Sequence, residues 1–190
     1  YLTPAGYSSY TMYMQGSMCA AGNSSFSSDQ ELISNAVRPR WASNPYGMVW
    51  WWGHGWYTSA SVGFSGCTWG NILNSSDTAY LNDSYPAFVY QCSCYNGHPE
   101  TSNNLGTALL RQGAAATVSA SRVSWYAVTS WGTWLKYYCD NASIGYFFGK
   151  ELVSSNKKAA KALYDVKSEM GLPQYAYWGA TSWMNLMDFN

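Results

Sequence analysis

Three short apolar runs, each closed by residues that interrupt a regular element, set the frame of this chain. They are Met48–Trp52 (MVWWW), Ala87–Gln91 (AFVYQ) and Ala114–Ala120 (AAATVSA). A run of that length without polar alternation marks a strand covered on both faces in a parallel sheet. Parallel strands need crossovers, and one is legible. Asn104–Arg111 reads as a helix with Leu105, Ala108 and Leu109 on one side and Gly113 as its stop. Strand, loop, strand, helix, strand is the order of an open α/β sheet with helices on its faces.

Further elements surround this frame. Ser28-Asp29-Gln30-Glu31 has the form of a capping box, which predicts a helix over Asp29–Arg38 with Leu32, Ile33, Ala36 and Val37 on one face and Pro39 as its end. Thr11–Met14 reads as a short strand. Ile144, Phe147, Phe148 and Leu152 make one helical stripe, and Ala159, Ala160, Leu163, Val166 and Met170 make another. Gly171 and Pro173 close that segment, and Tyr175–Trp178 reads as a last strand. No linker, repeat or charge run divides the 190 residues, so a single domain with a substantial core is expected.

Charge excludes several functions. Lys+Arg and Asp+Glu are 10 each, and charged residues are only 11% of the chain, which leaves no electrostatic footprint for nucleic acid or an anionic membrane. No apolar stretch reaches the roughly 18 residues of a membrane-spanning helix. Solubility carried by Ser, Asn and Tyr points to an extracellular chain, as do Asn-x-Ser sequons at Asn23, Asn74, Asn82 and Asn141. The first residues, YLTPAGYSSY, have neither the basic head nor the apolar core of a leader, so export implies one already removed. The cysteines are Cys19, Cys67, Cys92, Cys94 and Cys139. Their odd number fits two disulfides and one free thiol, or five buried thiols in a reducing compartment.

Chemistry in open α/β sheets collects just beyond the carboxyl ends of the strands. His54 lies two residues past the first run, in VWWWGHGWYTS, and Cys92 and Cys94 lie just past the second, in FVYQCSCYNG. Neighbouring parallel strands would set these ends side by side and make a nucleophile and its proton-transfer partner. Gly53 and Gly55 allow a sharp turn, and the Gly55 N–H can approach a substrate oxygen unhindered. The plainer readings are a loop histidine and a structural CSC. A metal cluster of Cys92, Cys94 and His98 lacks the fourth ligand of a structural zinc site, so no metal or cofactor is expected.

The succession of an apolar run with His-Gly and, about forty residues on, an apolar run with Cys resembles the caspase-like cysteine peptidases, and most closely the gingipain-type family. YLNDSYPAFVYQCSCYNGHPE is similar to that family's nucleophile segment. NLGTALLRQGAAATVSASRVSWY is similar to its following helix, turn, strand and Ser-containing loop, and WMNLMDFN to the approach to a later motif. The resemblance is good from Asp29 to Trp125 and weaker to the end. It implies a caspase-like three-layer α/β/α sandwich with a mostly parallel sheet, core motifs in 29–125 and a helical part in 140–190. It further implies Cys94 as nucleophile, because Cys94 stands two residues before Asn96-Gly97, and His54 as general acid/base. The N–H groups of Gly55 and Cys94 would form the oxyanion hole, and Ser121, Arg122 and Trp125 one wall of the substrate pocket. Trp125 would stack on a P1 side chain or Arg122 attract an acidic one; an exposed Arg beside a packed Trp is the alternative. Cys92 would then pair with Cys67 or Cys139.

The chain departs from the family in places. Thr107 stands where relatives often carry an acidic residue, and residues 1–28 hold no Asp or Glu that could bind a P1 guanidinium. Relatives also have a further strand and helix ahead of Tyr1 and continue past Asn190. The expectation is therefore a processed piece of a longer precursor, with another chain or copy completing the sheet. The function implied is extracellular cleavage of polypeptides by a cysteine endopeptidase. A non-catalytic module that binds glycans or other chains through its aromatics, and a hydrolase of another acyl bond, are the alternatives.

Overall fold

The computed structural model describes residues 2–15, 26–63, 68–125, 140–170 and 188–189. In chain order its elements are β1 (Met12–Tyr13), β2 (Gln30–Glu31), α1 (Val37–Ala42), β3 (Met48–Trp52), β4 (His54–Trp56), β5 (Ser59–Val62), β6 (Gly70–Asn74), β7 (Ala87–Cys92), α2 (Leu105–Arg111), β8 (Ala114–Ser119), α3 (Asn141–Val153) and α4 (Ala159–Met170). The three apolar runs are the three strands of the central sheet, ordered β3-β7-β8 and parallel throughout. Met48 lies opposite Phe88 and Trp52 opposite Cys92, so β3 and β7 finish level with each other.

Alternation along β7 explains why the run is apolar. Ala87 and Val89 belong to a core with Trp41 of α1, Leu105 and Leu109 of α2, and Ile72 and Leu73 of β6. Tyr90 and Cys92 point to the other face, into a core with Ile144 and Phe148 of α3 and Val166 and Met170 of α4. Both faces are thus covered, and the architecture is a mixed α/β sandwich with a mostly parallel central sheet, consistent with the caspase-like arrangement. Each large side chain fully buried here, such as Phe148, stabilises the fold by about 2 kcal/mol. Tyr90 is fully buried, and its hydroxyl finds an acceptor in the Asn141 carbonyl at the start of α3. Its ring lies so close to Gly145 that a Cβ there would sit 2.8 Å from Cδ1.

The helices follow their patterns. Asn104 caps α2 by accepting from the Thr107 N–H at 2.8 Å, and Asp140 caps α3 by accepting from the Ser143 N–H at 2.6 Å. In α4 the buried positions are Ala162, Val166 and Met170, whereas Ala160 is exposed. The helix expected over Asp29–Arg38 is not present. The Asp29 carboxylate accepts from the Thr11 N–H and hydroxyl at 2.7 and 2.9 Å instead of capping a helix, and those bonds hold its carboxyl below the usual range. Gln30–Glu31 pairs with Met12–Tyr13, and the helix starts only at Val37, with Pro39 in its first turn, where a missing N–H costs nothing. The stretch between Trp52 and Ala87 carries structure that the sequence pattern does not announce: an antiparallel meander β4-β5-β6 and a 3-10 turn, Ser75–Tyr80, with reciprocal Asn74 and Asp77 caps. The strand expected at 175–178 lies outside the described residues. Among the described residues no helix is long and apolar enough to cross a membrane.

Candidate active site

Because β3 and β7 end together, the segments that follow them run side by side. The Gly53 N–H donates to the Cys92 carbonyl at 3.1 Å, which continues the pairing beyond the last strand residue. The chain then turns into β4. At Gly55 the backbone lies directly on that of Cys94: a Cβ there would sit 2.8 Å from the Cys94 nitrogen, 2.9 Å from the Ser93 Cβ and closer still to the Cys94 oxygen. Only glycine permits this approach. The His54–Gly55 and Ser93–Cys94 backbones are therefore neighbours, each at the carboxyl end of its strand.

Their side chains are not hydrogen-bonded to each other. The His54 imidazole is exposed and packs on the indole of Trp69, with ring centroids 4.8 Å apart. The half-buried Cys94 sulfur receives the Ser124 N–H at 3.4 Å and its thiol reaches the Ser124 carbonyl at 3.6 Å. The Cys94 N–H has no acceptor among the described residues. No carboxylate among the described residues is paired with His54.

The turn that carries Cys94 is strained and clamped. Tyr95 adopts a left-handed backbone, φ 58°, which costs a non-glycine residue about 1–3 kcal/mol. Its N–H donates to the Arg122 carbonyl at 2.9 Å, the Gly97 N–H donates to the Ala120 carbonyl at 2.9 Å, and its ring packs edge-on against Trp56 and Tyr57. Beneath it Ser93 and Asn96 are buried.

The loop after β8 brings Ser121, Arg122 and Trp125 to the same side as Cys94 through the Ser124 contact. The Ser121 N–H donates to the Asp188 carbonyl at 2.8 Å, and Trp125 is exposed. The Arg122 guanidinium is held by both oxygens of Glu100, at 3.0 and 2.6 Å, and Glu100 also lies 3.2 Å from His98 Nε2. Arg122 holds the Glu100 carboxyl below its ordinary range. An acidic substrate side chain would have to displace Glu100, which removes the simplest role for Arg122. Among the described residues on neighbouring segments, Trp56, Trp69 and Trp125 are each about half exposed.

Two expectations change. Cys92 is a free, buried thiol rather than half of a cystine; Cys19, Cys67 and Cys139 lie outside the described residues. Burial pushes the Cys92 thiol well up, with Asp140 and Cys94 adding to the effect, so it is inert. Of the sequons, Asn141 is buried and Asn74 is used in a cap, which leaves Asn82 as the exposed acceptor among the described residues. Sequence reasoning singled out neither Ser93 nor Trp51 and used Asn96 only as a landmark. Their importance lies in buried side-chain hydrogen bonds, Trp51 to Ser93, Ser93 to Asn96, and Asn96 to the distant carbonyls of Trp56 and Ser59, for which no local pattern exists.

A parallel α/β sandwich that sets a free cysteine and a histidine on adjoining strand ends has the layout of a thiol-dependent hydrolase. Residues 2–188, nearly the whole chain, match the model of peptidase family C25. The chain belongs to that family and is a cysteine peptidase. No curated protein and no solved structure matches it.

Proposed function

We propose that the chain is an extracellular cysteine endopeptidase that uses Cys94 as nucleophile and His54 as general acid/base. The observation that supports this reading is the close approach of the Gly55 backbone to that of Cys94 at the adjoining ends of two parallel strands. In the first step the Cys94 thiolate adds to the scissile carbonyl carbon and forms a C–S bond. The Gly55 and Cys94 N–H groups donate to the resulting oxyanion; a donor of this kind is worth about 3 kcal/mol in the transition state. The protonated His54 gives its proton to the amide nitrogen as the C–N bond breaks, and the amine leaves. His54 then takes a proton from water, which attacks the thioester and releases the acid and the thiolate. In this cycle the imidazole swings from Trp69 toward the cleft; catalytic contacts of this type commonly tighten only once substrate is bound.

The half-exposed, free sulfur of Cys94 argues against a blocked, non-catalytic module. The exposed Trp56, Trp69 and Trp125 favour neutral, apolar side chains near the scissile bond. The test is peptide hydrolysis and labelling with a peptidyl electrophile by wild type, Cys94→Ala and His54→Ala. Both variants should lose hydrolysis, and Cys94→Ala should lose the label. Undiminished hydrolysis by Cys94→Ala would end the proposal.

A further inference from the structure

Below the nucleophile turn runs a closed chain of buried hydrogen bonds. The Trp51 Nε1–H donates to the Ser93 hydroxyl at 3.1 Å, the Ser93 hydroxyl donates to Asn96 Oδ1, and Asn96 Nδ2 donates to the carbonyls of Trp56 and Ser59 at 2.6 and 2.9 Å. Asn96 is fully buried and Ser93 nearly so. Donor and acceptor directions are fixed along the whole chain. Indole N–H can only donate and carbonyls can only accept, so the Asn96 amide has one permitted orientation and both its hydrogens are used. The Asn96 carbonyl in turn accepts from the Gly106 N–H at 2.8 Å, which ties the turn to α2.

The location gives this network its meaning. Asn96 stands two residues after Cys94. The carbonyls it binds belong to the β4–β5 hairpin, two and five residues after His54. The Ser93 and Asn96 side chains thus join the segment that bears the sulfur to the segment that bears the imidazole. We infer that Asn96 is a positioning residue: its buried carboxamide locks the His54 hairpin to the Cys94 turn and so fixes the backbone that carries the imidazole against the backbone that carries the sulfur. Asn96 touches no reacting atom. A buried amide with every group paired serves this purpose better than apolar packing, because a shifted hairpin would leave both hydrogens of the buried Asn96 amide unpaired.

The inference rests on the proposed Cys94–His54 pair, and its test separates the two. Alkylation of Cys94 by iodoacetamide is followed by mass spectrometry from about pH 5 to pH 9, across the range in which imidazole titrates. The proteins are wild type, His54→Ala, Asn96→Asp and the double variant, each checked for folding by circular dichroism. Asn96→Asp keeps the size and the acceptor for Ser93 but sets a carboxylate against two carbonyls. It should slow alkylation below neutral pH by about tenfold and bring the pH profile close to that of His54→Ala. In the His54→Ala background it should change the rate by less than about twofold, because members of one network are not additive. Ser93→Ala leaves both Asn96 donations in place and serves if Asn96→Asp does not fold. Its rate should fall about threefold, again only when His54 is present. A wild-type profile in the folded variants, or an equal fall with and without His54, overturns the inference. If His54→Ala itself leaves the wild-type profile unmoved, the Cys94–His54 pair falls, and the positioning role with it.

Discussion

Gly55→Ala is the sharpest perturbation that the structure offers, because one methyl group strikes only backbone and a Cβ. The added carbon would lie 2.8 Å from the Cys94 nitrogen and 2.9 Å from the Ser93 Cβ, where ordinary contact begins at 3.4 Å. None of these atoms is the flexible end of a side chain. The β4 segment and the nucleophile turn must therefore part by at least about half an ångström, in an interior packed too densely to absorb it freely. Overpacking of this kind costs about 1–3 kcal/mol of stability. At about 2–4 °C per kcal/mol for a chain of this size, the unfolding midpoint should fall by a few degrees. Catalysis should suffer much more. A displacement approaching 1 Å at a reacting centre can cost on the order of a hundredfold, and in the proposed mechanism the Gly55 N–H acts on the oxyanion only in the transition state. The loss should therefore appear in kcat, with KM little changed. Gly47→Ala is the control, since its added carbon meets only Tyr7 Cε1, at 3.9 Å, and should leave both quantities alone. Steady-state hydrolysis of a fluorogenic peptide and a thermal melt supply the readouts. A folded Gly55→Ala protein with wild-type kcat would refute the idea that this contact builds the site.

Two further outcomes follow from the same geometry. Cys92→Ser should keep hydrolysis and Cys94 labelling while losing about 1–3 kcal/mol of stability, because the new hydroxyl enters an apolar core beside Ile144 and Phe148; denaturant unfolding measures this, and lost labelling would contradict the inert role of Cys92. Glu100 is held more acidic than a free glutamate, chiefly by its hydrogen bonds to Arg122, so the charged carboxylate favours the folded state. Its contribution is present above the ordinary glutamate range and vanishes as pH falls through the lowered value. The melting difference between wild type and Glu100→Gln should shrink to nothing on acidification and should also shrink in high salt; a difference independent of pH would show that Arg122 is held by something else.

The sheet was legible because a strand covered on both faces keeps few polar positions, and the run Met48–Trp52 advertises that directly. The nearness of the His54 and Cys94 segments was legible for a related reason. If two such strands are parallel neighbours, their ends coincide, and the Trp52–Cys92 register shows that they do. What escaped was set by partners distant in sequence. Ser28 to Glu31 carries a sound local helix signal, yet Thr11 captures Asp29 and a two-residue strand pair forms instead. The meander between Gly53 and Asn74 is too short and too rich in Gly and Ser to show a period. Asn96 looks like any turn asparagine until its amide is found between the carbonyls of Trp56 and Ser59.

Three constraints of different kinds meet at Cys94. The glycine contact at residue 55 is steric, the Asn96 network is made of hydrogen bonds, and Tyr95 stands in a backbone region that a relaxed loop would leave. A strained residue persists only where its surroundings over-determine it. Here the surroundings are the Arg122 carbonyl on one side and the β4–β5 hairpin on the other, and both belong to segments that frame the cleft. Under the proposed mechanism the Cys94 N–H is one of two oxyanion donors, and the fold sustains a cost of about 1–3 kcal/mol at Tyr95 in the turn that carries it. A peptidase arranged in this way spends little of its substrate's binding energy on assembling the site. Under the proposed mechanism what remains to move is the His54 imidazole, which packs on the indole of Trp69.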